Sequence, residues 1–233
     1  GPNTNFLDYI SRVLPELGET GVVLSTIGDL FPGITPIHTE GLLGREIKGS
    51  EAMAEILNAA VKDYQQVPNV PRDITVDGLP LTITPSMVKR ARTRARRARK
   101  PHNQAREAFI EHFVEDLAQE MANKVGTDPL GGENLLSRAD VDQFHDDLAN
   151  DESVINCIDV FWPELDPSEV LAALLSSREL IASAARGYDE ETQAALYRPD
   201  GYAWTASDTA LLDELAVLVG LPNPEEKKAA KEA

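Results

Sequence analysis

The sequence predicts a mostly α-helical protein with a small β component, an α+β fold, and three observations favour this class. Apolar residues recur at three-and-four spacing over most of the 233 residues, as they do on one face of an α-helix. Runs of β-forming residues occur at only two places, residues 21–26 and 74–83. Proline and glycine separate the helical stretches from one another. We therefore expect helices to form most of the core.

The first part of the chain predicts a helix, a strand and a second helix. Residues 4–17 place their apolar side chains on one helical face. Residues 21–26, bounded by glycine on the amino-terminal side, are typical of a buried strand. A connection rich in proline and glycine follows over residues 31–44, and residues 50–64 predict the next helix. Together these elements favour part of an α/β layer.

The next part predicts a β-hairpin and two basic or amphipathic helices. In residues 74–83 an Asp-Gly dipeptide lies between two β-forming runs, and this dipeptide accepts the positive φ angles of a tight turn. A Thr-Pro-Ser sequence is a typical helix start and leads into a helix over residues 87–100. A proline separates it from a second helix over residues 103–124.

The remainder of the chain is predicted to be helical almost to its end. The predicted helices cover residues 134–149, 153–161, 168–186, 190–196 and 207–219. The last twelve residues lack large apolar side chains, so we expect them to be frayed or disordered. The resulting division has four parts, residues 1–70, 71–126, 127–210 and 211–233.

Composition and motifs argue against a membrane span, a metal site and a nucleotide-binding loop. No run of about 18 apolar residues occurs, so no membrane span is expected. A single cysteine, Cys157, and a start unlike a signal peptide favour the cytoplasm. The histidines do not fall at metal-ligand spacing, and no Gly-x-x-x-x-Gly-Lys-Ser/Thr phosphate-binding loop occurs. We therefore expect this chain by itself to hold no metal or cofactor and not to act as an enzyme.

The net charge of -17 conceals two oppositely charged regions. Between Asp128 and Glu214 there are twenty acidic residues and only four arginines, which gives this acidic region a charge of about -16. Between Lys89 and Arg106 there are nine basic residues and no acid. Because phosphate neutralisation requires Lys and Arg, only the second region is suited to contact nucleic acid.

The predicted basic helix carries eight cations within twelve residues. They are Lys89, Arg90, Arg92, Arg94, Arg96, Arg97, Arg99 and Lys100. Ala91, Ala95 and Ala98 leave only a narrow stripe for packing. One interpretation is a surface for nucleic acid or for an acidic protein. The alternative is a solvated face, partly paired with acids of the same chain, and the residues alone leave both open.

A second notable segment is the loop predicted over residues 197–208. Its candidate contact residues are Tyr197, Arg198, Asp200, Tyr202, Trp204 and Asp208. One interpretation is an exposed recognition loop with acidic and aromatic side chains. The alternative is a loop in which Trp204 packs into the local core while Ser207 or Asp208 caps the next helix. Both interpretations are open from the sequence.

Several blocks of the sequence resemble the HelD family. They are residues 1–19 with Val-Val-Leu-Ser-Thr at 22–26, Thr-Pro at 84–85, the Ala-Arg repeats at 91–99, Pro-His-Asn-Gln-Ala-Arg at 101–106, Trp-Thr-Ala-Ser-Asp at 204–208 and Leu-Leu-Asp-Glu at 211–214. The members of this family are superfamily 1 helicase-like ATPases that associate with bacterial RNA polymerase. The arginine and alanine content with an acidic bias is similar to the actinobacterial branch.

The resemblance implies that the chain is a fragment. Residues up to about 67 would belong to the first motor domain, a helicase-type α/β layer, and much of the rest to the family's helical insertion. The phosphate-binding lysine and the acidic metal-binding motif of the family would lie outside the chain, so ATP and Mg²⁺ would belong to the full-length parent. Asp213 and Glu214 do not match that motif because they lie on a predicted helix.

The resemblance also implies a partner. The family's insertion is similar to a wedge in the DNA channel of RNA polymerase, with an acidic loop that approaches the active centre. We therefore expect a monomeric polymerase-binding fragment of an ATP-driven transcription recycling factor, which displaces nucleic acid through loop 197–208, with Asp189, Glu190 and Glu191 as supporting acids. The alternative function is a nucleic-acid-binding module that acts through the helix over residues 87–100.

Overall fold

The computed structural model describes residues 34–220, except 128, 129, 131 and 133–135. It confirms the mostly helical class with a small β component. In chain order the elements are α1 (Leu42–Lys48), α2 (Glu51–Asp63), β1 (Arg72–Val76), β2 (Leu79–Ile83), α3 (Pro85–Arg97), α4 (His102–Val125), α5 (Arg138–Ala149), α6 (Glu152–Phe161), α7 (Pro167–Ser176), α8 (Arg178–Ala184), α9 (Glu190–Leu196) and α10 (Asp208–Val219). The expectations for residues 4–17, 21–26 and 222–233 lie outside the described residues.

The chain forms two compact units. One combines Gly1–Ala60 with Pro167–Val217, and the other combines Val61–Asp166 with Leu218–Ala233. None of the described helices is long and apolar enough to cross a membrane.

The predicted β-hairpin is confirmed in the second unit. Strands β1 and β2 are antiparallel, with Val76 opposite Leu79. Asp77 and Gly78 between them have φ angles of 50° and 79°, as a two-residue turn of this type requires. Alternate residues of each strand are buried, so one face of the hairpin faces the core.

Aromatic rings on α4 and just after α6 form the centre of the second unit. The Phe109 ring stacks on Phe113 at a centroid distance of 5.7 Å and on Trp162 at 5.4 Å. Trp162 is fully buried, and its indole N–H donates to the carbonyl oxygen of His102 at 3.0 Å. Apolar residues of the hairpin and of α3 belong to the same core cluster. Burial of this cluster is the main force that holds α3 on α4.

In the first unit, short helices pack against one another. Helix α9 packs on α1 and on α8, and α7 packs on α8. Gly201 lies against the backbone of α7, and a Cβ atom at this position would come within 2.2 Å of the Ala172 carbonyl oxygen. The loop that precedes α10 is therefore held close to α7 because residue 201 has no side chain.

The helix predicted over residues 134–149 begins at Arg138, and three further helix predictions are wrong. Helix α1 lies partly within the predicted connection over residues 31–44. The single helix predicted over residues 168–186 is two helices, because Ser177 is extended and its hydroxyl accepts the Leu180 N–H at the start of α8. Helix α3 ends at Arg97 rather than at residue 100, since Arg99 takes a left-handed conformation with φ of 53°.

Candidate functional site

Helix α3 is attached to its unit by small and apolar side chains. It begins with Thr84 as the N-cap and with proline at the first position, as the sequence predicts. The side chains buried on its packed face are Met87, Val88, Ala91 and Ala95. Ala98, which the sequence placed in the packing stripe, is exposed because the helix has ended there. The other sides of the helix can therefore carry charged side chains.

Most cations of α3 and its C-terminal turn face solvent. The exposed members, which we call the basic helix surface, are Lys89, Arg90, Arg94, Arg96, Arg97, Arg99 and Lys100, whereas Arg92 is half-buried. Arg90 forms a salt bridge with Asp116 at 2.9 Å. This is the only ion pair that these cations make among the described residues. Within the described part of the chain, the pairing with acids that one interpretation expected is therefore found for one arginine.

Two arginines of α3 bind a neutral residue instead of an acid. Arg92 donates to the backbone carbonyl oxygen of Gln65 at 3.1 Å, and Arg96 donates to its side-chain oxygen at 2.6 Å. Burial and the neighbouring charge of Arg92 lower the pKa of Arg96 from its ordinary value. The interactions orient both guanidinium groups without removing their charge.

Gln65 also connects this helix to a buried histidine. Its amide nitrogen donates to Nδ1 of His102 at 3.1 Å, and Nε2 of His102 donates to the Pro163 carbonyl oxygen at 2.7 Å. These partners assign the neutral imidazole with its proton on Nε2. Burial lowers the pKa of His102 to about 4. The histidine is therefore neutral at pH 7.

The Pro-His-Asn-Gln-Ala-Arg block has a structural role in the second unit. Asn103 exchanges two hydrogen bonds of 2.9 Å with the backbone of Leu165. Arg106 donates to the Trp162 carbonyl oxygen at 3.0 Å and pairs with Asp159. The first turn of α4 is thereby fixed to the segment that follows α6. Sequence reasoning gave these residues no role of their own.

Loop 197–208 is partly buried in the first unit. Trp204 is 6% exposed and Asp208 is 0% exposed, so the prediction of a fully exposed recognition loop is wrong for these two residues. The alternative, in which Trp204 packs into the local core, is confirmed. The Asp208 carboxylate accepts the Thr205 N–H at 2.8 Å at the start of α10. Asp208 is the first residue of α10, so its carboxylate fixes the turn that leads into the helix.

Asp208 is the centre of a buried ion cluster, which consists of Glu40, Lys48, Arg198 and Asp208. The ammonium group of Lys48 lies 2.7 Å from a carboxylate oxygen of Glu40 and 2.7 Å from one of Asp208. Arg198 pairs with the other oxygen of Asp208 and donates to the Gly201 carbonyl oxygen at 2.6 Å. Burial alone would raise the pKa of Asp208, but hydrogen bonds from Arg198 and Lys48 lower it.

The remaining candidate contact residues lie at the surface of the first unit. Tyr202 is 60% exposed and makes an edge contact with Trp204, and Asp200 is exposed. Tyr197 is half-buried beneath the Arg178 guanidinium, 3.9 Å from its ring centroid. The acids that precede the loop, Asp189, Glu190 and Glu191, are exposed. A hydrogen bond from Thr192 to Asp189 lowers the pKa of that carboxyl and caps α9.

Sequence reasoning missed Lys48 and Glu40. Lys48 and Asp208 are 160 residues apart in the chain, and neither has a neighbour in sequence that marks it as a buried charge. Lys48 closes a helix that was itself not predicted. A lysine at the end of a short helix usually lies in solvent, so no local signal indicates this partner.

Most described acids of the acidic region lie at the surface, and Glu164, Asp166 and Glu169 among the described acids have partners. Of the other described acids of this region, only Asp159 and Asp208 form salt bridges with a described arginine or lysine. Asp146 lies 3.7 Å from Nδ1 of His145, which is a charged pair only when that histidine is protonated. No group of three or more potential ligands for a metal ion occurs within the described ranges. Cys157 is buried, and its burial raises the pKa of the thiol.

No protein-family model matches this sequence, and no curated protein matches it.

Proposed function

We propose that the chain is the RNA polymerase-binding part of an ATP-driven transcription recycling factor and that its acidic region competes with nucleic acid for a positively charged channel. The parent protein would supply ATP hydrolysis through motifs outside this chain. The sequence blocks that resemble the HelD family support the choice of partner. The charge distribution of the described residues supports the way in which the partner is bound.

The observation that carries the proposal is the exposure of most carboxylates of the acidic region. Its described carboxylates are exposed except for Asp151, Asp166 and Asp208. Glu164, Asp166 and Glu169 have partners. Of the other described carboxylates, only Asp159 and Asp208 form a salt bridge to a described arginine or lysine. A surface of this kind attracts a basic channel over a distance comparable to the screening length, about 8–10 Å at physiological ionic strength. Such a surface can occupy the place of a polyanion.

Within the first unit, the contact surface consists of exposed side chains from α9 and the loop after it. The acids are Asp189, Glu190, Glu191 and Asp200, and Tyr202 supplies an exposed aromatic ring. Trp204, Arg198 and Asp208 position this surface from beneath, because they are partly or fully buried. Tyrosine is enriched among the residues that contribute most of the binding energy at protein interfaces.

Two experiments test the proposal. The first is a pull-down of the chain with bacterial RNA polymerase core, and the second measures whether the chain displaces a fluorescent DNA duplex from the core. The triple variant Glu190→Lys, Glu191→Lys and Asp200→Lys reverses exposed charges that make no salt bridge to a described residue. We expect at least a tenfold loss of affinity and of displacement. The matched control, Glu46→Lys, Glu107→Lys and Glu111→Lys, makes the same change of net charge at exposed acids outside the acidic region.

The two variants separate a specific surface from a general effect of net charge. Equal loss in both would mean that the named surface is not the contact. Retention of binding and displacement by the triple variant, or no binding of the unmodified chain to core polymerase, would contradict the proposal.

A further inference from the structure

The exposed cations of α3 form two rows on either side of one polar ridge. Arg90, Arg94 and Arg97 follow one another at steps of four and three residues, so they lie on one flank. Lys89 and Arg96, seven residues apart, lie on the other flank. Thr93 lies between the rows, opposite the buried alanines, and its hydroxyl donates to the Lys89 carbonyl oxygen at 2.7 Å. The helix thus presents positive charge on both sides of its exposed face.

The helix dipole and ion pairing explain the presence of only some of these cations. The helix dipole favours cations in the last turn, which covers Arg94, Arg96 and Arg97 but not Lys89 or Arg90. Among the described residues, a salt bridge explains the presence of Arg90 alone. Adjacent cations on one face repel one another. Burial is the larger cause of the lowered pKa of Arg96, and the charge of Arg92 adds to it.

The turn after α3 adds two cations at a conformational cost. Arg99 has a φ of 53° at the position after the helix cap, where glycine is the usual residue. A residue with a Cβ atom is strained in this left-handed conformation. Arg99 and Lys100 are both exposed there and extend the basic rows beyond the helix end.

We propose that the basic helix surface binds the phosphate backbone of duplex DNA, with α3 lying in the major groove. An α-helix with its side chains is about 10–12 Å wide, and the major groove of B-DNA is about 12 Å wide. Cations on both flanks reach the phosphates on both walls of the groove, while the short Thr93 side chain faces the floor. The row from Arg90 to Arg97 is about 10 Å long, since each residue advances the helix by about 1.5 Å.

The geometry favours DNA over the other polyanions. The major groove of an RNA duplex is too deep and narrow to admit a helix. Single strands are bound by aromatic side chains on which bases stack, and the basic helix surface contains none. This surface is independent of the proposed polymerase contact, because it uses α3 and not the acidic region.

Fluorescence anisotropy with a 20-base-pair DNA duplex at 50 mM NaCl tests the inference, with the full chain. We expect measurable binding that weakens as salt rises. The variant Arg94→Glu with Arg97→Glu reverses two exposed cations without a described partner, so affinity should fall at least tenfold. The slope of log affinity against log salt concentration should become shallower by about 2, because each of the two lost phosphate contacts contributes about 0.9 to it.

The matched control is Arg138→Glu with Arg186→Glu, which changes net charge equally at two exposed arginines of the acidic region. It should retain duplex binding within about threefold, because neither residue belongs to the basic helix surface. Circular dichroism checks the fold, and Arg94→Gln with Arg97→Gln replaces the reversal variant if that variant unfolds. No duplex binding at 50 mM NaCl, equal loss in test and control, or tighter binding to single-stranded DNA or duplex RNA would overturn the inference. Binding to an acidic protein surface alone would also overturn it.

Discussion

The basic helix surface and the buried ion cluster use the same residue types in opposite ways. On α3, guanidinium groups face solvent, and only Arg90 pairs with a described carboxylate. In the ion cluster, Lys48 and Arg198 are almost removed from water, and each contacts Asp208. The first arrangement leaves charge available to a partner, whereas the second uses charge to fix the fold of a loop.

Burial decides which of these two uses a cation serves. A buried charge without a counter-charge is strongly destabilising, so the ion cluster must contain both signs. An exposed charge is solvated and needs no partner, and a surface ion pair contributes about 0–1 kcal/mol. The comparison predicts that substitutions in the ion cluster change stability strongly, whereas substitutions of the exposed cations of α3 change it little.

The largest effect is expected for Asp208→Ala. This change leaves Lys48 and Arg198 without their shared carboxylate, and loss of one partner of a buried pair costs about 3–5 kcal/mol. Urea unfolding followed by circular dichroism measures the loss. The control is Asp213→Ala on the same helix, an exposed residue, which should leave the unfolding midpoint unchanged. A similar midpoint for both variants would show that the ion cluster does not stabilise the loop.

Enlarging the alanine stripe of α3 should produce the next largest effect. Ala91 is fully buried against the core, and Ala91→Leu adds three carbon atoms where there is no room, at about 1–3 kcal/mol. Ala98→Leu, at an exposed position after the helix, should have little effect. Thermal unfolding of the two variants compares them directly. Equal melting temperatures would mean that α3 does not pack through its alanines.

Lowering the pH should reduce the stability of the second unit, because His102 becomes protonated. Its pKa is about 4 in the folded chain and about 6.5 when unfolded, so protonation favours the unfolded state. The contribution to stability is present above pH 6.5 and is lost as pH falls toward 4, by about 2 kcal/mol between pH 7 and pH 5. A cationic imidazole would also place two donors face to face at Gln65.

His102→Gln removes this titration, so urea unfolding from pH 7 to pH 5 should show a smaller decline for the variant than for the parent chain. Parallel declines would indicate that other groups cause the acid sensitivity.

The smallest effect on stability is expected at the end of α3. Substitution of Arg99 by glycine and substitution of Arg97 by glycine should change stability in opposite directions there. Arg99→Gly relieves the left-handed conformation and should raise stability by up to about 1 kcal/mol. Arg97→Gly, within the helix, should lower stability by about 1 kcal/mol. Both changes remove one cation, so charge cannot explain opposite signs. Changes of the same sign in thermal unfolding would contradict the assigned conformation.

Local patterns were sufficient for most elements of the fold. The Asp-Gly turn, the Thr-Pro helix start and the apolar spacing of α4 predicted the hairpin and the basic helical pair, because each depends on residues near one another in the chain. The break at Ser177 and helix α1 were not predicted. The apolar pattern continues through the break, and α1 is short and mostly exposed.

The sequence by itself determined the helical class, the separation of charge into two regions and the exposure of the α3 arginines. These features depend on composition and on the 3.6-residue period of a helix. Only the tertiary structure decided that Asp208 is paired with Lys48, that Trp204 is buried and that His102 is neutral. The physical reason is that burial and pairing depend on residues distant in the chain, whose approach no local pattern records.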